Sequence, residues 1–361
     1  MKSRFISSLR ARVQILLATV GMAAVLAPAQ AQQEGVYTIP KFAFEGGGSL
    51  DDMKVSYLTW GKRAAGDSNV IVLVSATSGT KTWANAHIGA GKTFDTDKYF
   101  VVSIDSIGGG GSSQPRDGLG GRFPQYNIRD MVRAQHALLV EGLGLQHVLA
   151  VGGASSGAYQ ALEWGVVYPG FAQGLMLYAG AAHADRQVKL IVDGIVATLS
   201  MDPAFVAGKA APPGGDAVRK ASTVYFPWLL TERALEGMGS DDVLAKAEAG
   251  FADNWARNWD AIGLAWRYRS SRLHDVAVPY GGNMAAALAR VTDAVLVLPV
   301  TTDRTHPIGL NESMAKGLVN AKLTYAPLDS MRGHIAVFVG PGAPEYDFVS
   351  STTRSFLGAL K

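Results

Sequence analysis

Seven runs of apolar residues, many of them β-branched, recur along the chain at wide spacing: 53–59, 70–75, 100–105, 148–152, 174–178, 294–299 and 323–326. From Val70 onward they are short and almost unbroken in hydrophobicity, as strands are when both faces of a parallel sheet are covered. Between the third and fourth runs the period changes. Ile128, Met131, Val132, Leu138 and Leu139 fall on one helical stripe, with a gap at Gln135, and predict a helix over 128–141. A second helix is predicted over 158–168, where Pro169-Gly170 stops it. Strands alternating with helices predict an α/β fold, a mostly parallel twisted sheet flanked by helices.

The alternation lapses between residues 183 and 284. This stretch is helical in parts, broken by Pro212-Pro213-Gly214-Gly215, and rich in large aromatics: Tyr225, Phe226, Trp228, Trp255, Trp259, Trp266 and Tyr268. Strand pattern resumes at Ala294. A helical insertion between two strands of one sheet makes a natural cap over its C-terminal edge. The core is therefore expected over 32–182 and 285–361, and the cap over 183–284. Trp83, Trp228, Trp255, Trp259 and Trp266 are candidates for the wall of a binding pocket, and for those within the insertion an aromatic core of the cap itself is an equally good explanation.

The first 31 residues stand outside this pattern. Lys2, Arg4, Arg10 and Arg12 precede an apolar run at 13–27, and Ala29-Gln30-Ala31 follows as an A-x-A cleavage signal. The apolar run is shorter than the roughly 20 residues that span a bilayer. The segment reads as a secretory signal peptide cut after Ala31, which places the mature chain in the periplasm or outside the cell. Its removal changes the charge balance. The whole chain carries +3, with 33 Lys+Arg against 30 Asp+Glu, but four of those basic groups and none of the acidic ones lie in the leader. The remainder is close to neutral, which gives no support for nucleic-acid binding. The chain has no cysteine, so disulfides, a thiolate nucleophile and Cys-ligated zinc are excluded.

Candidate chemistry gathers at the ends of the predicted strands. Gly153-Ala154-Ser155-Ser156-Gly157 fits G-x-S-x-G between a strand and a helix, the context of a nucleophile elbow. In that register glycines flank Ser155 two residues away on each side. Shifting to Ser156 places Ala154 and Ala158 there, so Ser155 is the candidate nucleophile. Asp303 follows the run 294–299 and His334 follows the last run, which gives the order Ser, Asp, His. A serine hydroxyl needs a base to take its proton, and the base needs a carboxylate to fix its tautomer. Asp329 and Asp275 are fallbacks for the acid. His306 lies too close in sequence to Asp303 to be its expected partner, and His87, His136, His147, His183 and His274 have no strand end behind them. Two backbone N–H groups should meet the developing oxyanion: Ser156, just after the nucleophile, and Thr77 in "SATSGTKTW". The glycine-rich "IGGGGSSQP" (107–115) lacks the G-K-[ST] ending of a phosphate loop and is expected to let backbone pass close to the site. The histidines are scattered without metal-ligand spacing, and no cofactor is implied.

The stretches "SATSGT", "IGAGKTFDTDKYFVVSIDSIGGGGSSQP", "FPQYNIRDMVRAQHALLVEGLGLQHVLAVGGASSGAYQALEW", "TTDRTHP" and "RGHIAVF" resemble the homoserine O-acetyltransferase family of α/β-hydrolase-fold enzymes. The resemblance covers most of the core outside the cap. It implies Ser155 as the acyl-accepting nucleophile, Asp303 and His334 completing the triad, and an oxyanion hole from the backbones of Thr77 and Ser156. The chain departs from the family at several points. The oxyanion loop, usually His-Ala-Leu-Thr-Gly, is Ser75-Ala76-Thr77-Ser78-Gly79. The elbow, usually Gly-Gly-Ser-Met-Gly-Gly, differs at Ala154, Ser156 and Ala158, and Gln114 replaces the last glycine of the glycine-rich loop. In the cap, only "MDPAF" and "NWDAIGLAWRYRSSRLHDV" echo the family's acceptor-binding helix. These departures and the leader point to a hydrolase in which water takes the acyl group from a small ester. An O-acyltransferase of the family type is the alternative. No nucleic-acid partner and no stable membrane insertion after signal cleavage are expected, and a homodimer stays open.

Overall fold

The computed structural model describes residues 32–360; the segment 1–31 read above as a leader, with the cleavage expected after Ala31, lies outside the described residues. Eight strands form one sheet in the order β1-β2-β4-β3-β5-β6-β7-β8. They are β1 (Gln33–Ala43), β2 (Ser49–Trp60), β3 (Val70–Val74), β4 (Phe100–Ile104), β5 (Val148–Ala154), β6 (Ala172–Tyr178), β7 (Ala294–Leu298) and β8 (Lys322–Tyr325). β1 and β2 are antiparallel, and β2 pairs antiparallel with β4; from β4 to β8 every pairing is parallel. Each apolar run of the sequence became a strand. In β3, Val70, Val72 and Val74 enter one apolar layer while Ile71 and Leu73 enter the other, so the unbroken run reflects a strand covered on both sides.

The structure departs from the sequence pattern at the edges. β1 was not anticipated: it lies at the sheet margin with most of its residues partly or fully exposed, so no apolar run marks it. The helix expected over 128–141 splits. Helix α1 (Ile128–Ala137) passes into a wider turn over Leu138–Gly142, where the Leu143 N–H donates to the Leu138 carbonyl at 2.9 Å. Helix α2 (Ser156–Val167) begins two residues before the expected start, directly after Ser155.

Between β6 and β7 the chain leaves the sheet for seven helices: α3 (Arg186–Leu199), α4 (Pro203–Val206), α5 (Asp216–Leu229), α6 (Glu232–Glu236), α7 (Asp241–Asn258), α8 (Ala261–Arg272) and α9 (Met284–Leu288). The inside of this cap is aromatic: Trp255, fully buried, lies 5.3 to 6.0 Å from the rings of Phe251, Tyr268 and Tyr225. Helices α10 (Ile308–Gly317) and α11 (Pro344–Gly358) complete the core. No helix among the described residues is long and apolar enough to cross a membrane.

Candidate active site

Ser155 stands between β5 and α2 with φ 57° and ψ −123°, a conformation that costs a non-glycine residue energy. The flanking glycines make the turn possible. A Cβ on Gly153 would lie 2.5 Å from the Gly157 carbonyl carbon, and one on Gly157 would lie 2.7 Å from the Val74 carbonyl oxygen. The Ser155 N–H donates to Tyr178 O at 2.9 Å, tying the turn to the neighbouring strand.

Asp303 follows β7 and His334 sits in the short helical turn Gly333–Phe338. His334 Nδ1 is 2.7 Å from Asp303 Oδ2, with both side chains buried. The other oxygen, Oδ1, accepts from the backbone N–H groups of Thr305 and His306 at 2.7 and 2.9 Å. Burial alone would raise the Asp303 carboxyl; the charge and hydrogen bond of His334, and the His306 N–H, outweigh it and hold the group below its ordinary value. The fallback carboxylates are engaged elsewhere: Asp329 accepts from the Thr301 hydroxyl and Asp275 caps the Ala277 N–H.

His306 lies closer to the acid than its place in sequence suggests. Its Nδ1 is 4.0 Å from Asp303 Oδ2, and its ring is 5.0 Å from that of His334. Its Nε2 meets the Tyr159 hydroxyl at 2.5 Å, and Tyr159 is one helical turn beyond Ser155. Burial pushes the His306 pKa down to about 3, with the charge of His334 adding to the effect, so the ring stays neutral. Asp303, His306 and His334 form the single cluster among the described residues with three ligand-type atoms within 4.8 Å of one another. His334 Nδ1 pairs with Asp303 and His306 Nε2 with the Tyr159 hydroxyl, while the buried Nδ1 of His306 has no hydrogen-bond partner among the described residues.

Ser155 and His334 open on one cavity of about 390 Å³, whose wall includes Ala76, Thr77, Trp83, Tyr225, Phe251 and Tyr268. Among the described residues lining it, none is Asp, Glu, Lys or Arg. A second space, about 20 Å³, lies against Ser155 and is bounded by Tyr159, Val188, Ile191 and Val192. Thr77 and Ser156 meet through their side chains: the Thr77 hydroxyl donates to Ser156 Oγ at 2.8 Å and lies 2.9 Å from Ser271 Oγ.

Of the five tryptophans considered for the pocket wall, Trp83 lines the cavity. The other four are packed elsewhere. Trp255 is the centre of the cap's aromatic core. Trp259 donates to Ser78 O at 3.1 Å from behind the loop, and Trp266 donates to Phe123 O at 2.9 Å. Trp228 packs under the Arg304 guanidinium, 5.3 Å from its ring centre. Tyr225, Tyr268 and Phe251 take the places at the cavity wall, while Trp255 packs behind them in the cap's interior. Sequence position alone carries no signal for that choice.

The alpha/beta hydrolase fold model matches residues 69–316. A homoserine O-acetyltransferase of Leifsonia xyli is 30% identical over 329 residues, spanning 80% of this chain and 81% of the relative. An ethyl acetate hydrolase of Pseudomonas veronii is 28% identical, spanning 81% of this chain and 87% of the relative. The crystal structure of an acetylester hydrolase from Corynebacterium glutamicum superimposes with a TM-score of 0.81 at 25% identity, covering 91% of this chain and 96% of the other.

Proposed function

The chain belongs to the homoserine O-acetyltransferase-like family of α/β-hydrolase-fold enzymes, a family of esterases and acyltransferases, and from that premise we propose that it is an exported serine hydrolase acting on small, uncharged carboxylic esters. One observation carries the choice of substrate: a cavity of about 390 Å³ opening on Ser155 and His334 with no Asp, Glu, Lys or Arg side chain in its wall. A zwitterionic amino-acid acceptor, or the phosphates of a CoA thioester, would have to shed water there with no counter-charge, which is costly. A neutral ester faces no such cost. The small space beside Ser155 suits a short acyl group.

In this reading His334 Nε2 takes the Ser155 proton as Oγ attacks the ester carbonyl. The C–O bond to the leaving alcohol then breaks, and His334 returns the proton to that alcohol. Water, deprotonated by the same nitrogen, attacks the acyl carbon; the bond from that carbon to Ser155 Oγ then breaks, His334 returns the proton to Oγ, and the acid leaves. Asp303 keeps the Nδ1 proton of His334 in place and balances the imidazolium charge. The backbone N–H groups of Thr77 and Ser156 receive the oxyanion in both halves; Ser156 opens α2, so its N–H has no acceptor within the helix. The leader places the mature enzyme in the periplasm or outside the cell, where water is the abundant acceptor.

Acyl transfer is the second reading, favoured by the likeness to the Leifsonia xyli transferase. The mature protein should hydrolyse p-nitrophenyl acetate at least tenfold faster than a succinyl ester of the same phenol. CoA release from acetyl-CoA that depends on homoserine would overturn the hydrolase reading.

A further inference from the structure

Four consecutive backbone carbonyls in the loop after β3 are each held by a buried side chain. Ser75 O accepts from Gln160 Nε2 at 2.8 Å, Ala76 O from Arg267 Nη2, Thr77 O from Arg267 Nε at 2.9 Å, and Ser78 O from Trp259 Nε1 at 3.1 Å. Gln160 belongs to α2, while Arg267 and Trp259 reach down from the cap. Arg267 is 1% exposed, and its Nη1 donates to Ile107 O at 3.1 Å. Among the described residues no carboxylate lies within ion-pair distance of it, so its donors go to backbone carbonyls. Burial lowers the pKa of the guanidinium from its ordinary value, yet an arginine in protein stays charged.

The glycine-rich run fits around this arginine. A Cβ on Gly108 would lie 1.7 Å from the Tyr126 hydroxyl and 3.2 Å from Arg267 Cδ, and one on Gly109 would lie 2.2 Å from the Trp259 ring. Trp259 in turn lies 5.8 Å from the guanidinium. A buried cation with no carboxylate in ion-pair contact is a cost the fold carries, offset in part by the charge of Asp105, and here the cation is placed against the segment that faces Ser155.

The peptide unit joining Ala76 to Thr77 is planar and trans, so its C=O and N–H point in opposite directions. Ala76 O accepts from the Gly79 N–H at 3.1 Å as well as from Arg267, and the charge-assisted bond adds to what holds the direction of the Thr77 N–H. It also draws electrons toward the carbonyl, which makes that N–H a stronger donor. The Thr77 side chain is pinned as well, by Ser156 and Ser271.

We propose that Arg267 is a positioning residue of the oxyanion hole: from the cap it orients and polarises the Ala76–Thr77 peptide, so that the Thr77 N–H is aimed at the tetrahedral oxyanion before substrate arrives. This rests on the reading of Thr77 and Ser156 as the oxyanion donors. It makes the cap a part of the catalytic apparatus as well as a cover, because α8 supplies the bonds to Ala76 O and Thr77 O.

The test compares Arg267→Gln, which removes the charge, with Arg267→Lys, which keeps charge but not the fork of donors. An uncharged acetyl ester gives kcat and KM. A trifluoromethyl ketone, which forms a tetrahedral adduct with the serine, and the matching methyl ketone give inhibitor affinities. In Arg267→Gln, kcat should fall about 10–100-fold with KM within about threefold, a fraction of the loss expected when an oxyanion donor is deleted outright. Affinity for the trifluoromethyl ketone should fall by the same factor while that for the methyl ketone holds, and Arg267→Lys should lie between Gln and wild type. A folded Arg267→Gln with kcat within about threefold of wild type overturns the proposal. So does a loss of kcat that leaves trifluoromethyl ketone affinity unchanged. If Arg267→Gln does not fold, Arg267→Lys is read by the same criteria. A Ser155→Ala variant that still hydrolyses the ester would overturn the underlying reading, and this proposal with it.

Discussion

Single residues in the site are held by more bonds than their reaction roles need. Asp303 uses one oxygen for His334 and the other for two backbone N–H groups, so its orientation survives loss of any one partner. Asp303→Asn should keep the fold and lose kcat by about 10³–10⁴-fold, because an amide can present its N–H to Nδ1 and favour the wrong tautomer; steady-state ester hydrolysis checks this. Three buried histidines set the acid sensitivity of the fold. Burial pushes His87 down to about 4, and His274 and His306 down to about 3. Below the ordinary value of 6.5 the unfolded chain takes up protons that the folded chain refuses, so the stability they allow is present above pH 6.5 and is lost as pH falls toward 3. Glu163, raised by burial to about 7, and Asp293, raised to about 6, act in the opposite sense over part of that window. The histidines outnumber them. Stability by urea unfolding should be lower at pH 5 than at pH 7, by on the order of 3 kcal/mol, and His274→Gln should make that slope shallower. An unchanged slope in the variant would remove His274 from this account.

At the scale of elements, the β5–α2 junction and the cap explain what sequence patterns reached and where they stopped. The elbow was legible because its geometry demands small residues at fixed offsets, and Gly153 and Gly157 answer that demand. Gly157→Ala should destabilise the protein by about 2 kcal/mol or more, since its Cβ would press on the Val74 carbonyl and the core leaves little room to yield; thermal unfolding measures it. Asp303 and His334 were legible for a related reason, as each follows a strand whose apolar run is plain. The cap's aromatics were not legible residue by residue. A core tryptophan and a pocket tyrosine share the same hydrophobic signal, and only packing separates them. Trp255→Ala should therefore cost about 3–5 kcal/mol of stability, while Trp83→Ala, at the cavity wall, should raise KM with a smaller loss of stability. Urea unfolding and steady-state kinetics on the pair check that division.

Over the whole molecule, the cap and the sheet edge meet at the loop after β3. Arg267 is 190 residues from Thr77 in sequence and Trp259 is 181 from Ser78, yet both bond to that loop. In the proposed mechanism, substrate selection and oxyanion geometry thus depend on the same docked surface. Export, proposed from the leader, predicts that protein secreted from a bacterial host begins at Gln32. N-terminal sequencing checks it, and a mature chain still carrying residues 1–31 would count against export.

The sequence by itself determined the parallel sheet and the turn at Ser155, and it pointed to Asp303 and His334 as the groups that meet past the later strands, because each depends on local pattern: unbroken apolar runs, glycines two residues from a serine, polar residues just past a strand. It could not determine β1, whose exposed edge leaves no apolar signature, the partner of His306, or the clamp that Arg267 and Trp259 place on the loop after β3. Those depend on which side chains meet across some 150 to 190 residues of chain, and hydrogen bonds between such distant groups exist only once the cap has folded back onto the sheet.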